Sequence, residues 1–190
     1  MLLEASYTRV HQHTQNSTLG FISASRGELS PAENNERHKQ LKLDLDALRV
    51  KYGWSHIPTE GGYIENRGEP TERVVKERSM MVIGKPEHHE AMKKEMGILA
   101  KKYNQDSVLV KGPNQNAELI GTKEHPDAWP AYGKSEDVGK WHPRNITQYF
   151  TGMQRGKKRF EFAESEGKKI EVFGYFISPI SFFNRTEHLF

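Results

Sequence analysis

Apolar residues fall along this chain in short runs separated by polar stretches, and the spacing within each run predicts its structure. Thr18 to Ser25 (TLGFISAS) is short, apolar and rich in small residues, the pattern of a buried strand. Ser30-Pro31-Ala32-Glu33 then carries the signals of a helix start: a capping serine, a proline in the first turn and a glutamate three residues on. Leu41, Leu45 and Leu48 share one face of that helix, which is expected to run to about Lys51 and stop at Gly53. Leu41, Leu43 and Leu45 also alternate as a strand would, but the capping box and the length decide for helix.

Trp54 to Glu65 reads as a strand carrying Ile57, Tyr63 and Ile64, with Gly61-Gly62 marking a bulge or a close backbone approach. A polar turn over Asn66 to Thr71 leads to another strand, Val74 to Ile83. Pro86 opens a second helix with Met92, Met96 and Leu99 on one face. Ser107 to Lys111 and Ala117 to Thr122 are short strands joined by Gly112-Pro113-Asn114. The order β-α-β-β-α-β-β predicts an α+β fold, a ferredoxin-like split β-α-β antiparallel sheet with two helices on one face. Residues 123–157, with Pro126, Pro130 and Pro143, are expected to be loop. Lys158 to Ala163 and Lys169 to Ile177 form a C-terminal β extension, with a hairpin turn at Glu166-Gly167.

Composition narrows the class without naming a function. The 190 residues are 35% apolar and 28% charged, with a formal charge of +3, which excludes a disordered tail, a collagen-like fibre and a polytopic membrane protein. No cysteine is present, so disulfide scaffolds, thiolate zinc sites and cysteine nucleophiles are excluded. Met1-Leu2-Leu3-Glu4 lacks the features of a signal peptide. The longest apolar stretch, Val172 to Phe183, is interrupted by a glycine and a proline and is shorter than the ~20 residues a membrane span needs. A soluble protein of the cytoplasm is therefore expected, with no membrane partner. The basic cluster Arg155 to Arg159 reads as a solvated turn, so no nucleic acid is expected.

Candidate chemistry is sparse. The close histidine pairs, His11-x-His13 and His88-His89, match no metal-site spacing, and no metal is expected. The chain has no P-loop, no dinucleotide fingerprint and no nucleophile elbow. Three places remain. Glu65 ends a strand just after Gly61-Gly62, either an ordinary exposed glutamate or an acid facing a ligand. Gln105-Asp106 enters a buried strand, where the acid can cap, turn or point into a cleft. Ser23-Ala24-Ser25-Arg26 closes the first strand with small residues, which suits tight packing or backbone contacts to a ligand.

Ile22-Ser23-Ala24-Ser25-Arg26, Asn35-x-Arg37-His38, Gly62-Tyr63-Ile64-Glu65 and Gln105-Asp106-Ser107-Val108-Leu109-Val110 occur in that order. Together with Tyr149-Phe150-Thr151 and Gly156-Lys157-Lys158-Arg159, they resemble the S-adenosylmethionine (SAM) lyases of coliphages, formerly called SAM hydrolases, over roughly residues 18–162. The resemblance implies a SAM-lyase-like domain over residues 1–164, with residues 165–190 as an extension packing on it or on a neighbouring subunit. It further implies a homotrimer with sites near subunit interfaces and a reaction yielding 5′-methylthioadenosine and L-homoserine lactone, with SAM as substrate and no cofactor. In related phages such depletion counters host restriction and other defences. By position, Glu65 matches the essential acid and Asp106 a second acid at the methionine end. Ser23, Ala24, Ser25, Tyr63 and Gln105 are expected to line the substrate site. Glu77 falls in a segment with no counterpart in the family and is read as structural. The competing readings are a protein that sequesters SAM or another nucleotide without cleaving it, and a phage structural protein docking through its aromatic tail.

Overall fold

The computed structural model describes residues 14–65, 70, 73–125, 130–142, 149–153 and 159–163, with side chains over 14–61, 70, 77–125 and 130–140. In chain order the elements are β1 (Thr18–Ile22), α1 (Pro31–Tyr52), β2 (Ser55–Glu65), β3 (Arg73–Gly84), a 3-10 turn (Pro86–His88), α2 (His89–Lys102), β4 (Ser107–Lys111) and β5 (Ala117–Gly121). Three more strands follow: β6 (Ser135–His142), β7 (Tyr149–Met153) and β8 (Arg159–Ala163).

The helix signals act as read. Ser30 and Glu33 form the reciprocal capping box, and Gly53 ends α1 in the left-handed region at φ 72°, donating its N–H to the Arg49 carbonyl. Leu41, Leu45 and Leu48 are buried while Leu43 is exposed, so helical periodicity prevails over the local alternation. The first helical turn after Pro86 is 3-10, and α2 continues from His89.

β1 pairs antiparallel with both β3 and β4, and β3 pairs with β2. The resulting order β4-β1-β3-β2 is the ferredoxin-like arrangement expected. The Gly61-Gly62 pair brings no bulge into the β2–β3 ladder, whose register runs unbroken from Ser55–Ile83 to Glu65–Arg73. The glycine instead permits close approach: a Cβ at Gly61 would come within 3.3 Å of Ser79 Oγ.

Residues 123–157 are not merely loop. They hold β6 and β7, which with β8 join the two edges of the core sheet into a closed barrel, β1-β3-β2-β7-β8-β6-β5-β4. The expected strand from Lys158 is β8, which makes its hairpin with β7. The expected strand at Lys169 to Ile177, the turn at Glu166-Gly167 and the extension 165–190 lie outside the described residues.

Both helices pack on the outer face of the barrel. Ile22, Met80, Val82, Val108 and Val110 meet Leu41, Leu45 and Leu48 of α1 and Met92, Met96 and Leu99 of α2 in one cluster. A Cβ at Gly20 would lie 2.9 Å from Met92 Sδ and from Met96 Cγ, so this glycine is what lets α2 settle against β1. The alternate residues of the same strands, Leu19, Phe21, Met81, Leu109 and Leu119, are buried on the inner face. Register joins them: Phe21 faces Met81 and Leu109, and Leu109 faces Leu119.

Candidate active site

Inside the barrel, strand alternation assigns the residues beyond this apolar floor. On β3 the inward positions after Met81 are Ser79 and Glu77; opposite them on β2 stand Thr59 and Gly61. Ser23 continues β1 inward, and Ser107 begins β4 opposite Gly121. One end of the barrel is therefore lined with small and polar groups. Thr59, Ser79, Ser23, Ser107 and Glu77 are all buried there. Thr59 Oγ1 and Ser79 Oγ satisfy each other at 2.9 Å.

The loop that follows β1 is fixed by α1 and by the segment entering β4. Asn34 Oδ1 accepts from the Arg26 N–H at 2.7 Å, and its Nδ2 donates to the Arg26 carbonyl at 2.8 Å. Arg37 Nε donates to the Ala24 carbonyl at 2.6 Å. Gln105 Nε2 donates to the Ser25 carbonyl at 3.0 Å, and Ser23 Oγ accepts from the Ser25 N–H at 3.0 Å. Five predicted site residues, Ser23, Ala24, Ser25, Gln105 and Asp106, thus gather at one end of the barrel, all buried. The conformation of this rim is set by side-chain to backbone bonds, so substitutions at Asn34 or Arg37 are expected to disturb it.

Asp106 is 1% exposed. Its Oδ1 sits 3.1 Å from Lys123 Nζ and 3.5 Å from Arg26 NH1. Arg26 also donates from Nε to Glu28 at 2.8 Å and from NH1 to the Asn104 carbonyl at 2.7 Å. Thr122 closes the corner, bonding the Gln105 carbonyl through Oγ1 at 2.7 Å and the Asp106 carbonyl through its N–H at 2.8 Å.

Glu77 is 4% exposed, and, as for Asp106, neither carboxyl oxygen has a hydrogen-bond partner among the described residues; what Asp106 has in addition is its two ion pairs. Ser23 is close, but its hydroxyl donates to the Arg78 carbonyl at 2.9 Å. Burial pushes the Glu77 carboxyl up to about 8, with Ser23 and the Arg26 charge pulling the other way. Gln105 Oε1 and Ser107 Oγ are likewise buried without a hydrogen-bond partner among the described residues. Open acceptors concentrate at this one end.

The backbones of Tyr63 and Glu65 lie farther along β2, where Tyr63 pairs with Val75 and Tyr149, and Glu65 with Arg73. Glu65 is four residues beyond Gly61, about 13 Å along an extended strand. The side chains of both residues lie outside those described. Among the described residues no group of three or more histidines or acids gathers as a metal cluster, and His88 is engaged as the acceptor, through Nδ1, of the Trp54 Nε1–H at 2.9 Å. No described helix is long and apolar enough to cross a membrane.

A family model described as the S-adenosylmethionine lyase family matches residues 20–172, from within β1 to past β8. The chain belongs to the S-adenosylmethionine lyase family. It is a SAM-degrading lyase, and the small-molecule substrate of the family is SAM. No curated protein matches the chain. The matched span includes every residue of the barrel end just described, so the lyase carries its buried acids and open acceptors within the family domain.

Glu77, Asn34 and Lys123 are the residues that sequence reasoning missed. Glu77 sits in Lys76-Glu77-Arg78-Ser79, a segment of the expected strand with no counterpart placed in the family, and so reads as structural. The signal was the strand period: an inward Glu77 and Ser79 flank an outward Arg78, which is exposed.

Proposed function

We propose that this lyase converts SAM to 5′-methylthioadenosine and L-homoserine lactone by intramolecular substitution. The methionine carboxylate of SAM attacks its own γ-carbon. A carboxylate oxygen–carbon bond forms, the carbon–sulfur bond breaks, and its electron pair leaves on sulfur as a neutral thioether. No proton has to move and no cofactor enters the balance. The observation that carries the reading is the barrel end itself, where buried acids gather with acceptors that have no hydrogen-bond partner among the described residues, a set that suits a cationic ligand rich in N–H donors.

Two opposite charges disappear along this path, and water, which stabilises them separately, slows it. A dry wall that fixes the folded conformer accelerates it by orientation and solvent exclusion; orientation alone is worth ~7–11 kcal/mol in favourable intramolecular cases. In this reading Glu65 anchors the substrate ammonium, whose charge persists through the reaction, so an anion there does not penalise the step. Asp106, held between Lys123 and Arg26, lends its charge to the same end of the substrate. Ser23, Ala24, Ser25 and Gln105 shape the wall, and Tyr63 packs on the nucleoside.

Glu65 belongs to a stretch of the β2–β3 hairpin that extends beyond the Glu77 level, which favours a site completed by a neighbouring copy in a homotrimer. Depletion of SAM in a host cytoplasm is the biological role, starving SAM-dependent restriction or other defences. Incubation with SAM followed by mass spectrometry tests the reaction. Methylthioadenosine with transient homoserine lactone is expected. Homoserine from the outset makes water the nucleophile, and intact SAM overturns the reading. Glu65→Gln is expected to fold normally and to lose about a hundredfold or more in turnover, the scale of an uncompensated charged contact. Full turnover in that variant overturns the role of Glu65.

A further inference from the structure

Asp106 has charge partners but lacks hydrogen-bond donors. Its Oδ1 lies 3.1 Å from Lys123 Nζ and 3.5 Å from Arg26 NH1, yet neither carboxylate oxygen accepts a hydrogen bond among the described residues. The two cations differ. Arg26 is locked: Asn34 holds its N–H and carbonyl, Glu28 accepts from its Nε, and the Asn104 carbonyl accepts from its NH1. Lys123 has only its stem fixed, through the neighbouring Thr122, which bonds the Gln105 and Asp106 carbonyls. Its side chain is 27% exposed against 10% for Arg26, and its ammonium donates no hydrogen bond to the described residues. We propose that Lys123 is a specificity-determining residue that binds the carboxylate of the amino-acid end of SAM, while Asp106 beside it takes the ammonium. This inference rests on the SAM lyase reading and assigns the group that recognises the carboxylate.

An anion and a cation side by side, with neither used up in bonding the other, form the complement of a zwitterion. The amino-acid end of SAM carries an ammonium, which only donates, and a carboxylate, which only accepts, on one carbon. Asp106 offers the open acceptors and Lys123 the open donors. The charges agree as well. Arg26 and Lys123 balance Glu28 and Asp106, so a ligand end whose own charges cancel leaves the site neutral. A lysine suits the task because its compact charge on a flexible stem can turn to a ligand without leaving its first partner.

With one carboxylate oxygen held by Lys123, the other is left to attack the γ-carbon. The attacking oxygen becomes the ring oxygen of the lactone, and the held one becomes its carbonyl and still accepts. No proton leaves Lys123. The carboxylate gives up its charge during the step, so the cation binds the ground state at least as well as the transition state. Its contribution therefore falls on KM rather than kcat.

The probes are S-adenosylhomocysteine, which keeps the zwitterion but has a neutral sulfur, its decarboxylated analogue, and 5′-methylthioadenosine, which lacks the amino-acid end. Binding to the full chain is measured by calorimetry. The wild type is expected to prefer S-adenosylhomocysteine over the decarboxylated analogue about tenfold, the scale of one charge-assisted contact. In Lys123→Met, where Arg26 still stands beside Asp106, that preference is expected to shrink to about twofold or less, with methylthioadenosine bound as in the wild type. Lys123→Arg keeps a cation and is expected to retain the preference within about threefold. For SAM, Lys123→Met is expected to raise KM about tenfold and to lower kcat less than about threefold. If Lys123→Met does not fold, Lys123→Gln takes its place.

A preference that survives in Lys123→Met overturns the proposal. So does an equal loss of methylthioadenosine binding, which marks a structural role. If the wild type cleaves SAM but binds S-adenosylhomocysteine and its decarboxylated analogue equally, Lys123 alone is misassigned. If it neither cleaves SAM nor binds any of the three probes, the reaction itself is wrong and this inference falls with it.

Discussion

Two buried ionisable side chains occupy opposite ends of the barrel, and their surroundings are opposites. Lys111, at the end of β4 paired with the start of β1, is 3% exposed, and its Nζ donates to the carbonyls of Thr14 at 3.3 Å, Gln15 at 3.1 Å and Gly112 at 2.9 Å. Three donors meet three acceptors. Glu77, six residues along β3 from the level of Ile83 and Leu19, has no hydrogen-bond partner among the described residues. Both groups bear the desolvation penalty of burial, but only one is compensated by the fold. A buried charge that is satisfied fastens the fold; a buried carboxyl without such partners keeps its proton instead.

The largest break in this comparison is Lys111→Met, which removes three charge-assisted bonds and is expected to cost about 2 kcal/mol in urea unfolding. The turnover of the folded fraction is expected to be unchanged, and a selective loss of turnover would make Lys111 part of the site. Ser79→Ala is next. It strips Thr59 of its partner in a buried position and is expected to cost about 1 kcal/mol.

The most diagnostic test is the pH response of Glu77→Gln. The Glu77 carboxyl is raised above the usual 4.5 to about 8, so the folded state binds the extra proton in between. Its contribution is complete below about 4.5 and is lost as pH rises through 8. Glu77→Gln is expected to match the wild type near the lower value and to become the more stable of the two as pH approaches 8. Lys111 runs the other way. Burial lowers it from 10.5 to about 8, so the unfolded chain holds the proton longer and stability gains as pH rises from 8 to 10.5. Thermal melts of Glu77→Gln and Lys111→Met across pH 5 to about 10 separate the two slopes, and parallel slopes would refute the contrast.

Much of the fold was legible because local signals agreed with each other. Ser30, Pro31, Glu33 and Gly53 bounded α1 correctly, and the spacing of Met92, Met96 and Leu99 found the buried face of α2. The barrel was not legible. β6 has the sequence Ser135-Glu136-Asp137-Val138-Gly139-Lys140-Trp141-His142, which offers little apolar alternation. It forms because β5 and β8 present edges to pair with, information that no local window contains. The site divided in the same way. Ser23, Ser25, Gln105 and Asp106 stood out as the ends of clear strands, and they do come together. Asn34 and Lys123 act on that cluster from outside its strands, Asn34 from a helix and Lys123 from a loop, and Glu77 was concealed by its charged neighbour Arg78, which is exposed.

The closure of the sheet has a consequence for assembly. Because β7 lies against β2 over Thr59 to Tyr63 and β8 bridges to β6, no strand among the described residues keeps an unpaired margin along its whole length. Through these strands, copies of the chain cannot continue one another's ladders, the route that leads open sheets into fibres. Association through the described barrel has to use side-chain surfaces rather than strand margins, which leaves each barrel intact.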